Sequence, residues 1–405
     1  MKVSLSRAII DRSRRFFKPH LDLVDAWRRD FLPLLLRSVA RSDRLVITEI
    51  VRTGAKTRAD LEASYQSFSR HLNSAQWDEQ EAALRTSVQA SLGRGARRLA
   101  PIAVDDGDLA KPYARKMEGL GRVRDGDKDT ITNGYWMFES YFVDDQYAPI
   151  PLVNFAYGLE QDGTHSMQQA RRRGYEAIVQ ASGCEVVVIE DRGFDGLDNF
   201  RDLQEVGLSW LVRSQGTREL LEPSGASLGI ISDFVATWEL QHVMSAPGKW
   251  QDGVELPKRV AYDFKEVQIP GLEGRFWLVA VRRCMAAAEG GMYLLTSVPL
   301  NKPADAEMMI RYYHRRWRAE DSIRFMKSEL GVEGVRTLNF RPLRRLLMIA
   351  SWIMALISFL RISLSDEQLR KLRDSVPFFD REEPRLLHYR IAYALRAILA
   401  KSGAT

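Results

Sequence analysis

The sequence predicts an α/β protein: a mixed sheet flanked by helices, with a helical segment ahead of it and an all-β insertion within it. Three observations lead there. Residues 1–95 contain few glycines, carry apolar residues three and four apart, and show no strand alternation. Residues 99–214 run strand, two strands, helix, strand, helix, strand, an order that builds one sheet between helical layers. Across residues 215–299 the helical period gives way to apolar and alternating runs divided by Gly and Pro.

Composition narrows the class. A chain of 405 residues can bury a sizeable interior, and 45% hydrophobic with 28% charged residues excludes disordered and fibrous classes. The net charge of +6 favours polyanionic partners, although charge speaks to association and not to fold. Two cysteines, Cys184 and Cys284, lie in apolar runs. They exclude a disulfide framework or zinc pattern and are expected to be buried thiols in a reducing cytoplasm. The basic N-terminus MKVSLSRAIIDRSRRFF has no uninterrupted apolar core, so no signal peptide is expected. The longest apolar run, residues 346–360, falls short of a membrane span and reads as a buried helix.

Taken in order, residues 1–95 are expected to form a helical, DNA-binding domain. LVITEIVRTGAKTRADLEASYQSFSRHLN reads as two helices joined at Gly54 and Ala55, compatible with a helix-turn-helix. Its second helix would carry Tyr65, Ser69, Arg70 and His71, with Lys56, Thr57 and Arg58 at the end where phosphates are favoured. A three-helix packing domain gives the same periodicity.

The first part of the core spans residues 96–214. RLAPIAVDDGD is a short strand ending at Val104, with Asp105 the first residue after it. Alternation sends Asp105 and Asp106 to opposite faces, so only one should point inward, with Asp108 a further competitor. Residues 111–133 read as a solvated loop whose basic side chains could meet phosphates. YWMFESYFV and APIPLVNFAYG are paired strands around the turn DDQY, and residues 164–181 form a helix opening on a Thr164 cap. CEVVVIED is a buried central strand that delivers Glu190 and Asp191 to the glycine turn RGFD. The helix LDNFRDLQEV and the strand LSWLVRS complete this part.

The insertion, residues 215–300, reads as four strands: VATWELQHVMS, RVAYDFKEVQI, RFWLVAVRRCM and MYLLTSVP. Residues 301–360 return to the core through a long helix that starts at Pro303 and stops at Gly331. The apolar helix after it packs beneath the sheet. Residues 361–405 form a tail of two amphipathic, basic helices suited to DNA or a second subunit.

Chemistry concentrates on the long helix. Tyr313, Arg316, Glu320 and Lys327 follow the spacing Y-x(2)-R-x(3)-E-x(6)-K. At about 100° per residue they share a stripe about 60° wide and roughly 21 Å long. A carboxylate there can hold a cation while the guanidinium and ammonium steady phosphate oxygens. Charges at this spacing also suit a solvated helix face. What favours the site is the pair of strand-end acids, Asp105 and Asp191, which with Glu320 match the way a ribonuclease H-like core gathers carboxylates around divalent metal.

With these residues placed, the chain resembles the DDE transposases of bacterial insertion sequences, specifically the insertion-sequence-four family. Its Y-R-E-K signature matches in residue type and spacing, and AVDDGD and VVVIEDRGFD supply the two aspartates. The resemblance covers residues 30–360, including the β insertion between the second Asp and the Glu. It implies that Asp105, Asp191 and Glu320 are catalytic and bind two Mg²⁺ ions, with Mn²⁺ an alternative, and that Tyr313, Arg316 and Lys327 bind DNA. It further implies double-stranded DNA partners (terminal inverted repeats and target DNA), a homodimer in a synaptic complex, and a cytoplasmic, nucleoid-associated protein without a membrane. The expected activity is metal-dependent cleavage at transposon ends and transfer of 3′ hydroxyls into target DNA. The competing classes are an end-binding regulator that no longer cuts and a nuclease without strand transfer. One departure stands out: Met292 occupies the place where some relatives carry a tryptophan thought to stack on a flipped base.

Overall fold

A computed structural model of the protein describes residues 5–21, 46–52, 57–73, 99–126, 128–143, 149–158, 166–182, 185–251, 254–284, 291–374 and 387–402. The junction at Gly54 and Ala55, Lys56, the DDQY turn, Thr164 and Cys184 lie outside the described residues.

The core grows from β1 (Ala100–Ala110), whose first residues are fully apolar. It pairs antiparallel with β3 (Thr130–Phe142) and parallel with β5 (Val186–Glu190). β4 (Ile150–Tyr157) adds antiparallel to β3, and β6 (Ser209–Ser214) adds parallel to β5. The run β4-β3-β1-β5-β6, antiparallel on one side and parallel on the other, is the ribonuclease H-like mixed sheet that the sequence predicts.

Helices cover both faces. α4 (Met167–Ser182) crosses between β4 and β5, capped by Ser166, whose Oγ accepts from Gln169 N at 3.2 Å. α5 (Leu197–Val206) connects β5 to β6 and ends at Gly207, whose φ of 81° the left-handed C-cap requires. On the other face lies α9 (Phe340–Ser363), the predicted apolar helix. It has the length and apolarity of a membrane span, but its most apolar window is 72% buried inside the protein. Trp352 and Ile349 are inaccessible, and Ser358 Oγ donates to Pro149 O at 2.8 Å. Three N-terminal helices, α1 (Leu5–Leu21), α2 (Ile47–Arg52) and α3 (Arg58–Asn73), belong to the same apolar core. Arg12 Nε donates to Ser363 O and Arg345 Nη1 to Leu72 O, which fasten α1 and α3 to α9.

Several sequence expectations are corrected here. β1 does not end at Val104: it runs through Asp105, Asp106 and Asp108, because β3 continues to pair with it as far as Ala110. The expected loop at 111–133 contains β2 (Gly121–Asp125), paired with the start of β3, and Lys111 is buried. The insertion is not purely β. After the hairpin of β7 (Glu219–Leu221) and β8 (Ser227–Ile230), it contains α6 (Ile231–Thr237), too short for its period to be read and rich in β-branched residues.

Its remaining strands, β9 (His242–Gln251), β10 (Val254–Val267), β11 (Phe276–Arg283) and β12 (Met292–Thr296), extend the core sheet through antiparallel pairing of β12 with β6. The sheet thus reaches ten strands. Cys284 is exposed, because the apolar run stops before Arg282 and Arg283 and the thiol lies past the strand end. The tail supplies two helices as expected, α10 (Asp366–Asp374) and α11 (Leu387–Ser402).

Candidate active site

The predicted long helix is two helices meeting at Arg316. α7 (Pro303–Arg315) starts at a proline, with Asp305 Oδ2 accepting from Lys302 N at 3.2 Å, and α8 (Trp317–Ser328) follows. Arg316 keeps helical dihedrals. Its N–H donates to Tyr313 O, and Ala319 N–H donates to Arg316 O, a three-residue pattern that tightens the chain locally.

This junction faces a gap in the sheet. β5 pairs with β1 only as far as Ala103 opposite Ile189, after which β1 continues with β3 on one side and no strand on the other. α8 takes the open side. Its first turn reaches Asp105 and its last turn reaches Asp108, although alternation sends these two side chains from opposite faces of β1. Asp106 turns to α4, where Arg171 Nε donates to its Oδ2 at 2.8 Å.

Arg316 is the centre of the arrangement. Its side chain is only 6% exposed, and it donates from Nη1 to Asp105 Oδ2 at 3.3 Å and from Nη2 to Glu320 Oε1 at 2.7 Å. The Tyr313 ring, itself buried, lies 6.0 Å from the guanidinium carbon, as does the ring of Trp317. Asp191 stands directly after β5, its Oδ1 accepting from Gly193 N at 2.7 Å to cap the short turn Arg192–Phe194. Burial raises the Asp105 carboxyl, the Arg316 guanidinium opposes that, and the like charges of Asp191, Glu320 and Asp106 add to it, leaving Asp105 at about 7. Asp105, Asp191 and Glu320 are therefore brought within electrostatic reach of one another.

Lys327 stands apart from this group. Its ammonium lies 3.3 Å from Asp108 Oδ1 and 3.4 Å from Glu333 Oε1, about 10 Å further along α8 than Glu320.

Two buried acids receive no role from the sequence, although it places Glu190 at the strand end. Glu139, across the ladder from Asp105, accepts from Tyr141 Oη at 3.0 Å and is pushed up to about 7, chiefly by burial. Glu190, the residue before Asp191, is inaccessible and is likewise raised to about 7 by burial. Tyr175 Oη donates to it at 2.6 Å and Asn199 Nδ2 at 2.8 Å. Asn199 Nδ2 also reaches Phe194 O at 3.2 Å, which ties the strand end to the turn that carries Asp191. The available signal for both was an acid inside an apolar strand run, since a buried carboxylate requires partners.

Among the described residues, no three His, Cys, Asp or Glu side chains form a ready-made metal cage. The donor chemistry nonetheless fits a divalent hard cation. All three candidate ligands offer carboxylate oxygen, and the elevation of Asp105 by burial and by the like charges of Asp191, Glu320 and Asp106 marks a place where positive charge is favourable.

Fold and site together define a ribonuclease H-like core with three carboxylates drawn near one another from β1, the residue after β5 and α8. Residues 156–357 match the family described as the transposase DDE domain, a stretch that contains Asp191 and the whole Y-R-E-K segment and begins after Asp105. Over that stretch the chain is similar to a transposase DDE domain. No curated protein matches it. Among solved structures it is similar to the piggyBac transposase synaptic complex with hairpin DNA, determined by cryo-electron microscopy. That likeness has 10% sequence identity and a TM-score of 0.46 and covers 91% of this chain and 70% of that one.

Proposed function

We propose that this protein is a transposase of the insertion-sequence-four family that cuts DNA at transposon ends and joins the freed 3′ hydroxyls to target DNA. The observation that carries the reading is the shared contact of Asp105 and Glu320 with Arg316, with Asp191 in electrostatic reach, inside a DDE domain. Asp105, Asp191 and Glu320 would hold two Mg²⁺ or Mn²⁺ ions. Bound there, such ions supply Lewis acidity and lower the pKa of an attacking oxygen.

The chain's own residues position the substrate. Arg316 balances the carboxylates in the absence of DNA, and its fork geometry suits a phosphate that arrives beside them. The Tyr313 and Trp317 rings each lie 6.0 Å from that guanidinium. Lys327, at the far end of α8, is placed to meet a phosphate further along the same strand. The substrates are double-stranded DNA, first the terminal inverted repeats and then the target, and a homodimer brings two ends together in a synaptic complex.

The test is cleavage of a duplex containing the element's ends. Glu320→Gln should lose cleavage in Mg²⁺ and in Mn²⁺ while retaining the duplex in a gel shift. Cleavage by that variant at the wild-type rate would remove Glu320 from the chemistry.

A further inference from the structure

We infer that the loop of residues 111–120, between β1 and β2, is a duplex-DNA contact that continues the phosphate path of α8 beyond Lys327. The inference rests on the transposase reading for the direction of that path.

The loop has no regular structure, yet its base is fixed. Lys111 Nζ donates to the carbonyls of Val332 and Glu333, and Glu333 in turn pairs with Lys327. Glu118 donates its N–H to Leu338 O and accepts from Phe340 N at 2.8 Å. Asn133 Nδ2 donates to Ala114 O, and Tyr135 Oη donates to Glu118 O. This clamping places the loop one ion pair away from Lys327.

What it holds outward is unusual for a solvated loop. Tyr113 is 91% exposed, and Arg115 and Lys116 are exposed beside it. None of the three has a hydrogen-bond or ion-pair partner among the described residues. Their neighbours on the hairpin behave differently. Arg122 donates to Asn133 Oδ1 and Ile131 O, and Arg124 pairs with Asp129. The loop's one acid, Glu118, is committed to Phe340 N, and among the described residues no carboxylate forms an ion pair with either cation.

Two unpaired cations and an exposed phenol ring on a rigid base form a surface suited to phosphates and sugar edges. Single-stranded binding by stacking would call for several aromatics in a groove. Here there is one ring beside two charges, at the end of a helix already aimed along a backbone, and the occupant is the duplex flanking the scissile bond. That duplex could be the transposon end or the target, which share the same backbone chemistry.

The experiment uses the full chain and two labelled duplexes, one from the DNA flanking the gene and one of unrelated sequence, read by fluorescence anisotropy across a salt series. The double variant Arg115→Glu with Lys116→Glu should bind both at least about tenfold more weakly, and its log–log salt slope should fall by about two, one phosphate contact per lost cation. In parallel, Tyr113 is replaced by photoreactive benzoylphenylalanine, a change at an exposed position that does not depend on the charge variant folding. Cross-linking to the flanking duplex alone assigns the contact to the transposon end, and cross-linking to both assigns it to target as well. An unchanged slope together with no cross-link overturns the inference. Cross-linking by the position-113 variant, together with wild-type protein that binds but never nicks in Mg²⁺ or Mn²⁺, overturns the transposase reading and leaves the DNA contact standing.

Discussion

Gly107 and Glu139 compete for one volume: a Cβ on Gly107 would lie 2.4 Å from Glu139 Oε2. Glu139 pairs with Asp105 across the ladder, and its side chain lies over the glycine two residues further along β1. Gly107→Ala must therefore displace a buried carboxylate that Tyr141 holds in place. The expected cost is about 1–3 kcal/mol in urea unfolding. In a Glu139→Ala background the same substitution should cost less than half as much, and strictly additive costs would show that the two residues do not share space.

Arg316 is the cation between Asp105 and Glu320. Arg316→Ala removes the interaction that opposes the elevation of Asp105, so that carboxyl should rise further above about 7. Cleavage at pH 7 is expected to fall roughly a hundredfold, a loss on the scale of removing one charge-stabilising donor. Part of the loss should be recovered at higher pH, where Asp105 ionises. A rate that stays depressed to the same degree across pH 6.5–9 would separate Arg316 from the ionisation of Asp105.

How much of this was legible beforehand depends on the range of the interaction concerned. Asp105 and Asp191 could be read because each follows an apolar run that leaves few alternatives to a buried strand, and Glu320 because its neighbours repeat at helical spacing. The break at Arg316 could not be read, since residues 303–328 carry one continuous helical pattern and the side chain's partner Asp105 is distant in sequence. The joining of the insertion to the core sheet was hidden for a similar reason. Alternation identifies strands such as β12 but says nothing of its pairing with β6, which is set by tertiary contact. The loop at 111–120 looked solvated because its polar composition conceals the clamps from Lys111 and Glu118, which run to residues more than two hundred positions away.

Glu139 and Glu190 make stability depend on pH. Both are fully buried carboxyls raised from an ordinary 4.5 to about 7. Between those values the folded protein keeps protons that the unfolded chain releases. Their contribution is therefore complete below about 4.5 and is lost as pH rises through 7. Each loss amounts to about 3 kcal/mol at most, by order of magnitude. Glu190→Gln keeps the Asn199 and Tyr175 neighbours but cannot ionise, so it should be relatively more stable at pH 8 than at pH 5 when each is compared with wild type. Thermal unfolding in chelator across that range reads the difference directly, and parallel profiles for the two proteins would contradict it.

Lys327 has two roles that a pair of substitutions can separate. Its ammonium stands between Asp108 and Glu333, and the Asp108 side chain is only 12% exposed, so Lys327→Ala leaves a largely buried carboxylate without its cation. That should lower unfolding stability by about 1–3 kcal/mol, the cost of a stranded polar group. Lys327→Ala should also weaken retention of end-containing duplex in a gel shift, because the proposed phosphate contact is lost. Asp108→Asn combined with Lys327→Ala removes the stranded charge as well as the ammonium. The double variant should regain much of the stability while binding DNA no better than Lys327→Ala. If DNA retention recovers together with stability, the weaker binding came from a disturbed fold, and the phosphate role of Lys327 fails.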